Sequence, residues 1–133
     1  MNDSLLINRL HLLIDPFDAL KHLECDGLTH VFHRVLSDEK IEHIINVGKV
    51  THKPTNRTIP LHYWIDVAQW RIDYRLRMWL GETPDVPHGV FRTDQDLSVS
   101  YVGNPTQLPL LPQPIIQLLF APFSLPSKLT GYE

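Results

Sequence analysis

Residues 59–74, IPLHYWIDVAQWRIDY, are dense in Ile, Val, Tyr and Trp, the residue types that suit a pleated, half-buried surface. Two strands are predicted, 59–67 and 69–74, joined as a tight antiparallel hairpin at Ala68-Gln69, although that tip lacks the Gly or Asn of the favoured turns. A two-residue turn sets Val67 opposite Trp70, Asp66 opposite Arg71, Trp64 opposite Asp73 and His62 opposite Arg75. Opposed residues share a face, so His62 and Asp73 become diagonal neighbours, roughly 7–8 Å apart at Cα and within reach of each other's side chains. A four-residue turn keeps this parity and a three-residue turn destroys it.

Upstream the period changes. Leu6, Leu10, Leu13 and Ile14 fit one helical face, with Asp3 or Ser4 available as a cap, which predicts a helix over 4–14 that Asp15-Pro16 breaks. A short helical turn is expected within 17–24. Leu28, Val31, Phe32, Val35 and Leu36 recur at intervals of three and four and mark the clearest helix, from about Cys25 to Leu36, stopping near Ser37-Asp38. The β-branched run Ile41, Ile44, Ile45, Val47, Val50 predicts a strand at about 43–50, followed by a polar loop over 51–58. Beyond Gly81 the many prolines, from Pro84 to Pro126, predict loops, with one strand near 97–102 and one helix near 114–120. The expected fold is α+β, with N-terminal helices packed on a small antiparallel sheet. At 133 residues, one domain over 1–133 is expected.

Composition narrows the function. With 43% hydrophobic and 20% charged residues the chain matches globular averages. A net charge of −3 and no basic run argue against nucleic acid as a partner, because Arg71, Arg75 and Arg77 are interrupted by Asp73 and apolar residues. Residues 5–14 are broken by Asn8, Arg9 and His11, so no signal peptide or membrane span is expected there. One Cys cannot form an intrachain disulfide, which agrees with a reducing compartment, the cytoplasm of a bacterium or its phage.

Cys25 at a helix start, His62 on a strand and Asp73 on the next form an order that suits thiolate chemistry. A helix N-terminus offers unpaired N–H groups and partial positive charge to a thiolate or a developing oxyanion. A His can take the thiol proton, and a carboxylate can fix its tautomer and stabilise the imidazolium. In order and spacing, the segment from Cys25 to Tyr74 resembles the core of transglutaminase-like and papain-like cysteine enzymes. That resemblance implies acyl transfer through a thioester on an amide or peptide-like substrate, without a cofactor. By position it makes Cys25 the nucleophile, His62 the general base and acid, and Asp73 the orienting acid. The Cys25 N–H and one upstream donor, His22 or Lys21, would form the oxyanion hole.

Other readings stand beside this one. Glu24 and Asp26 flank Cys25 and oppose a thiolate, and a free Cys is often simply a small buried residue. This favours a catalytically silent binding domain of the same fold, engaging a protein or small ligand. Asp66 is the rival orienting acid, although it stands opposite Arg71. Trp64, Trp79 and His88 are candidate substrate-binding residues, the last two in a segment, 75–91, that either walls a pocket or pins a long loop through a satellite cluster. An exposed apolar patch there, or around 115–123, would mark a protein partner. His30 and His33, on one helical face, could instead start a metal site with His43, His52, His62 or His88.

Overall fold

In the computed structural model, which describes residues 3–120, five antiparallel strands form one sheet flanked by helices. Chain order is α1 (Asp3–Ile14), a 3₁₀ turn (Asp15–Ala19), α2 (Cys25–Asp38), β1 (Ile44–His52), β2 (Arg57–Val67), β3 (Trp70–Asp73), α3 (Arg77–Leu80), β4 (Gly89–Arg92), β5 (Val99–Thr106) and α4 (Gln113–Phe120). The strand order is β4-β3-β2-β1-β5. The α+β expectation therefore holds for the described residues. None of their helices is long and apolar enough to cross a membrane. Pro122, Pro126 and the end of the apolar stretch 115–123 lie outside the described residues.

The β2–β3 hairpin has the expected register, with Val67 opposite Trp70, Asp66 opposite Arg71 and Ile65 opposite Ile72. Ala68 takes φ 52°, the left-handed region that Gly or Asn normally fills. α2 ends in a Schellman motif: Ile41 N–H donates to Leu36 O at 2.9 Å and Lys40 N–H to Ser37 O at 3.1 Å, with Lys40 at φ 58°.

Alternation along β2 and β3 turns Ile65, Val67 and Ile72 toward Leu10, Ile14, Leu28, Val31 and Leu36 of α1 and α2, which builds the main core. A second core gathers Val50, Ile59 and Trp64 with Leu76, Leu80, Val86 and Val99. The segment after β3 thus pins itself down through Leu76, Leu80 and Val86, and it also walls a cavity.

Two expectations need correction. The predicted loop over 51–58 shrinks to a turn, because β1 runs on to His52 and β2 begins at Arg57. Thr51 and Thr58 are Cα partners, and their hydroxyls lie 3.1 Å apart, so polar residues serve as an exposed strand end. The stretch beyond Gly81 is more ordered than its prolines imply, since β4 pairs with β3 as Ile72 to Val90 and Asp73 to Gly89. Asp15-Pro16 ends α1 at Ile14 as expected, and a 3₁₀ segment follows in which Pro is compatible with the first turn.

Candidate active site

His62 Nε2 donates to both carboxylate oxygens of Asp73, at 3.0 and 2.8 Å, and the two side chains are almost completely buried. This is the contact the hairpin parity predicts. Asp66, the rival acid, is engaged elsewhere: Arg71 Nε and Nη2 donate to it at 2.8 and 3.0 Å, and Asn46 Nδ2 at 3.3 Å.

Cys25 is the first residue of α2, half-buried, behind the cap residue Glu24. The α2 ladder begins at Leu28 N–H to Glu24 O, 3.0 Å, and Gly27 N–H bonds the Asp26 carboxylate at 2.8 Å. The N–H of Cys25 precedes the ladder, so helix geometry gives it no intrahelical acceptor. Arg75 places this helix end. Its buried guanidinium donates to Leu23 O at 2.6 Å, Asp18 Oδ1 at 2.7 Å, Leu20 O at 3.0 Å and Asp18 O at 3.2 Å. The chain leading into Cys25 is thereby tied to the end of β3, two residues beyond Asp73.

Cys25 and Asp73 line one void of about 10 Å³. Burial disfavours charge on His62, but the bonded Asp73 carboxylate and then the nearby Cys25 outweigh it and push the imidazole up to about 10. Nε2 is occupied by Asp73, which leaves Nδ1 for the thiol. Nδ1 makes no hydrogen bond among the described residues. The fold thus joins His62 to Asp73 directly and brings Cys25 into the same neighbourhood, lining one void with Asp73.

Sequence reading missed one member. Tyr101, on β5, donates its hydroxyl to Asp73 Oδ2 at 2.8 Å. Burial, and then Asp73, raise its pKa well above 10, so it remains a donor near neutrality. Nothing local to residues 97–102 signals this, because it depends on β5 returning to pair with β1.

The substrate-binding candidates separate. Trp64 is only 3% exposed and packs edge-on against Tyr101 at 4.7 Å, so it is a core residue under the site and not a cavity wall. Trp79 is exposed and borders a groove with Arg57, Ile59 and Pro60. His88 lines a cavity of about 550 Å³ with Asp18, Lys21, Tyr74, Arg75 and Met78. Tyr74 and Arg75 are shared with the void at Cys25. His88 Nε2 donates to Asp18 Oδ2 at 3.0 Å, and although burial opposes it, Arg75, Lys21 and His88 hold Asp18 down at about 2.

The metal candidates are likewise dispersed into pairs. His33 Nδ1 lies 2.8 Å from His43 Nε2, and His52 Nε2 lies 2.7 Å from Asp85. Among the described residues no group of three or more His, Cys, Asp or Glu side chains is arranged to hold a metal ion. Compared with protein-family models, curated proteins and solved structures, the chain matches none.

Proposed function

We propose that this chain is a small cysteine hydrolase or acyltransferase with a papain-like or transglutaminase-like core, acting on an amide or peptide-like substrate. The observation that carries the reading is the buried His62–Asp73 pair, with Cys25 at the start of α2 lining the same void as Asp73. The thiolate is the nucleophile, and an adjacent imidazolium favours it. In this reading the Cys25 sulfur bonds to the substrate carbonyl carbon, and the carbonyl π pair moves to oxygen beside the Cys25 N–H. Collapse breaks the C–N bond, and the departing amine takes the proton from His62. Neutral His62 then removes a proton from water or an acceptor amine, whose attack on the thioester releases the Cys25 thiolate. Asp73 holds the ring and stabilises its charged form throughout.

The cavity bordered by Tyr74, Arg75 and His88 is the natural place for the substrate, because it meets the Cys25 void along two shared residues. The small size of that void favours a second reading, a catalytically silent domain that uses the same cavity for a ligand. Alkylation with iodoacetamide at pH 7 separates the two. The enzyme reading expects Cys25 to react faster than a free thiol of ordinary pKa, with His62→Ala and Asp73→Asn slowing it by about tenfold or more. A thiol that resists alkylation until the chain unfolds, indifferent to His62→Ala, leaves the silent domain.

A further inference from the structure

Tyr101 reaches Asp73 from the far side of the sheet. β5 and β3 are separated by β1 and β2, so three strand spacings, roughly 14 Å in a flat sheet, lie between their backbones. A Tyr and an Asp side chain bridge that span only if the sheet curls toward the face they share. Two local features favour the curl. The β1–β2 register slips between Gly48 and Val50, an irregularity that bends and twists the pair. Gly48 also stands opposite Gly103, where a Cβ on Gly48 would fall 2.4 Å from Gly103 Cα and one on Gly103 2.7 Å from Trp64 Cη2. That bare backbone seats the Trp64 indole, and Tyr101 leans edge-on against it at 4.7 Å. Arg71 covers both rings, its guanidinium 4.5 Å from the Tyr101 centroid and 5.7 Å from that of Trp64. The hydroxyl therefore has few directions available, and it takes the one ending on Asp73 Oδ2, the oxygen that also accepts His62 Nε2.

We infer that Tyr101 is a positioning residue: with the N–H of Arg75, which donates to Asp73 Oδ1 at 3.2 Å, it locks the carboxylate rotamer that orients His62 toward Cys25. The inference rests on the enzyme reading for its purpose but not for its geometry. Three donors converge on one buried carboxylate, so neither oxygen is free to turn away from the ring. Supporting groups of this kind typically change activity by about ten- to a hundredfold when removed.

Tyr101→Phe tests it, because the ring stays to pack on Trp64 and Arg71 while the donor is lost. The low-field proton resonance of His62 Nε2–H, identified by its absence in His62→Gln, reports the bond to Asp73 directly. The expected result is that this resonance shifts or broadens away in Tyr101→Phe, and that Cys25 alkylation slows by about tenfold with the chain still folded. An unchanged resonance overturns the inference, whatever happens to stability, since a purely structural tyrosine would leave the His62–Asp73 bond intact. If Tyr101→Phe fails to fold, fluorotyrosine incorporated throughout the chain replaces it; a more acidic phenol donates more strongly and must move the same signal. A shifted resonance in a protein whose Cys25 is no more reactive than a free thiol upholds the positioning and sinks the enzyme reading.

Discussion

His62 carries a charge that its burial opposes, and two neighbours decide the outcome. Its folded pKa, pushed up to about 10, stands above the ordinary value of 6.5. Stability drawn from the charged ring is thus fully present below about 6.5 and fades as pH rises through about 10. Urea unfolding across that range should show wild type losing its advantage over His62→Gln as pH climbs, whereas a gap that stays flat would mean the ring is not charged in the folded chain. His33 has the opposite sign. Burial first, then the charge of His43, lower its pKa, so its contribution is present above 6.5 and lost as the ring protonates in acid. His43 Nδ1 donates to Ile41 O at 2.8 Å, and its Nε2 lies 2.8 Å from His33 Nδ1. Acid therefore weakens the α2–β1 junction while alkali weakens the site.

The β2–β3 hairpin keeps its register despite an unfavourable tip. Ala68 at φ 52° bears a Cβ in a conformation that Gly adopts freely. Ala68→Gly should raise stability by about 0.5–1 kcal/mol, a gain limited by the added freedom of the unfolded chain and readable as a higher denaturation midpoint at unchanged m-value. A loss would show that the turn relaxes without help. The hairpin also shows what sequence can convey. Alternating apolar residues on both arms leave one parity that buries Ile65, Val67 and Ile72 together, and that parity carries His62 to Asp73. Where burial is two-sided and local, position follows from pattern. β4 escaped because Gly89–Arg92 is four residues long among prolines and is made a strand by the waiting edge of β3. Tyr101 escaped for the same reason over a longer range: β5 pairs with β1 across more than forty residues of intervening chain, and the glycines that admit it read locally as turn signals. Trp64 was misplaced because an aromatic beside a reactive His looks like a binding surface, when its indole is filling the hollow above Gly103.

At the scale of the molecule, the sheet separates two cores, and the site lies where the helices, the sheet and the segment after β3 converge. Helix α2 is held on the sheet by its apolar face, but that face does not determine where its first turn comes to rest. Arg75 supplies this constraint. It is 3% exposed, and its donors are spent on the backbone and side chain of residues 18–23 and on Tyr74 O at 2.9 Å. Arg75→Met keeps much of the aliphatic stem while leaving several carbonyls and the Asp18 carboxylate without their donor. The expected cost is about 3 kcal/mol, the scale for removing one partner from a buried charged network. A general loss of packing would lower all protected amides alike. Loss of the clamp should instead speed exchange first at the opening turn of α2, at the Leu28 N–H that begins its ladder, with the strand amides of β1 and β2 lagging behind. The same variant should bring Cys25 reactivity toward that of a free thiol even where the chain remains folded, because the helix start is no longer held near the His62–Asp73 pair. If Leu28 exchange and Cys25 reactivity both stay at wild-type levels in folded Arg75→Met, then Arg75 only satisfies buried carbonyls, and the placement of Cys25 must come from the packing of Leu23 and Leu28 into the main core.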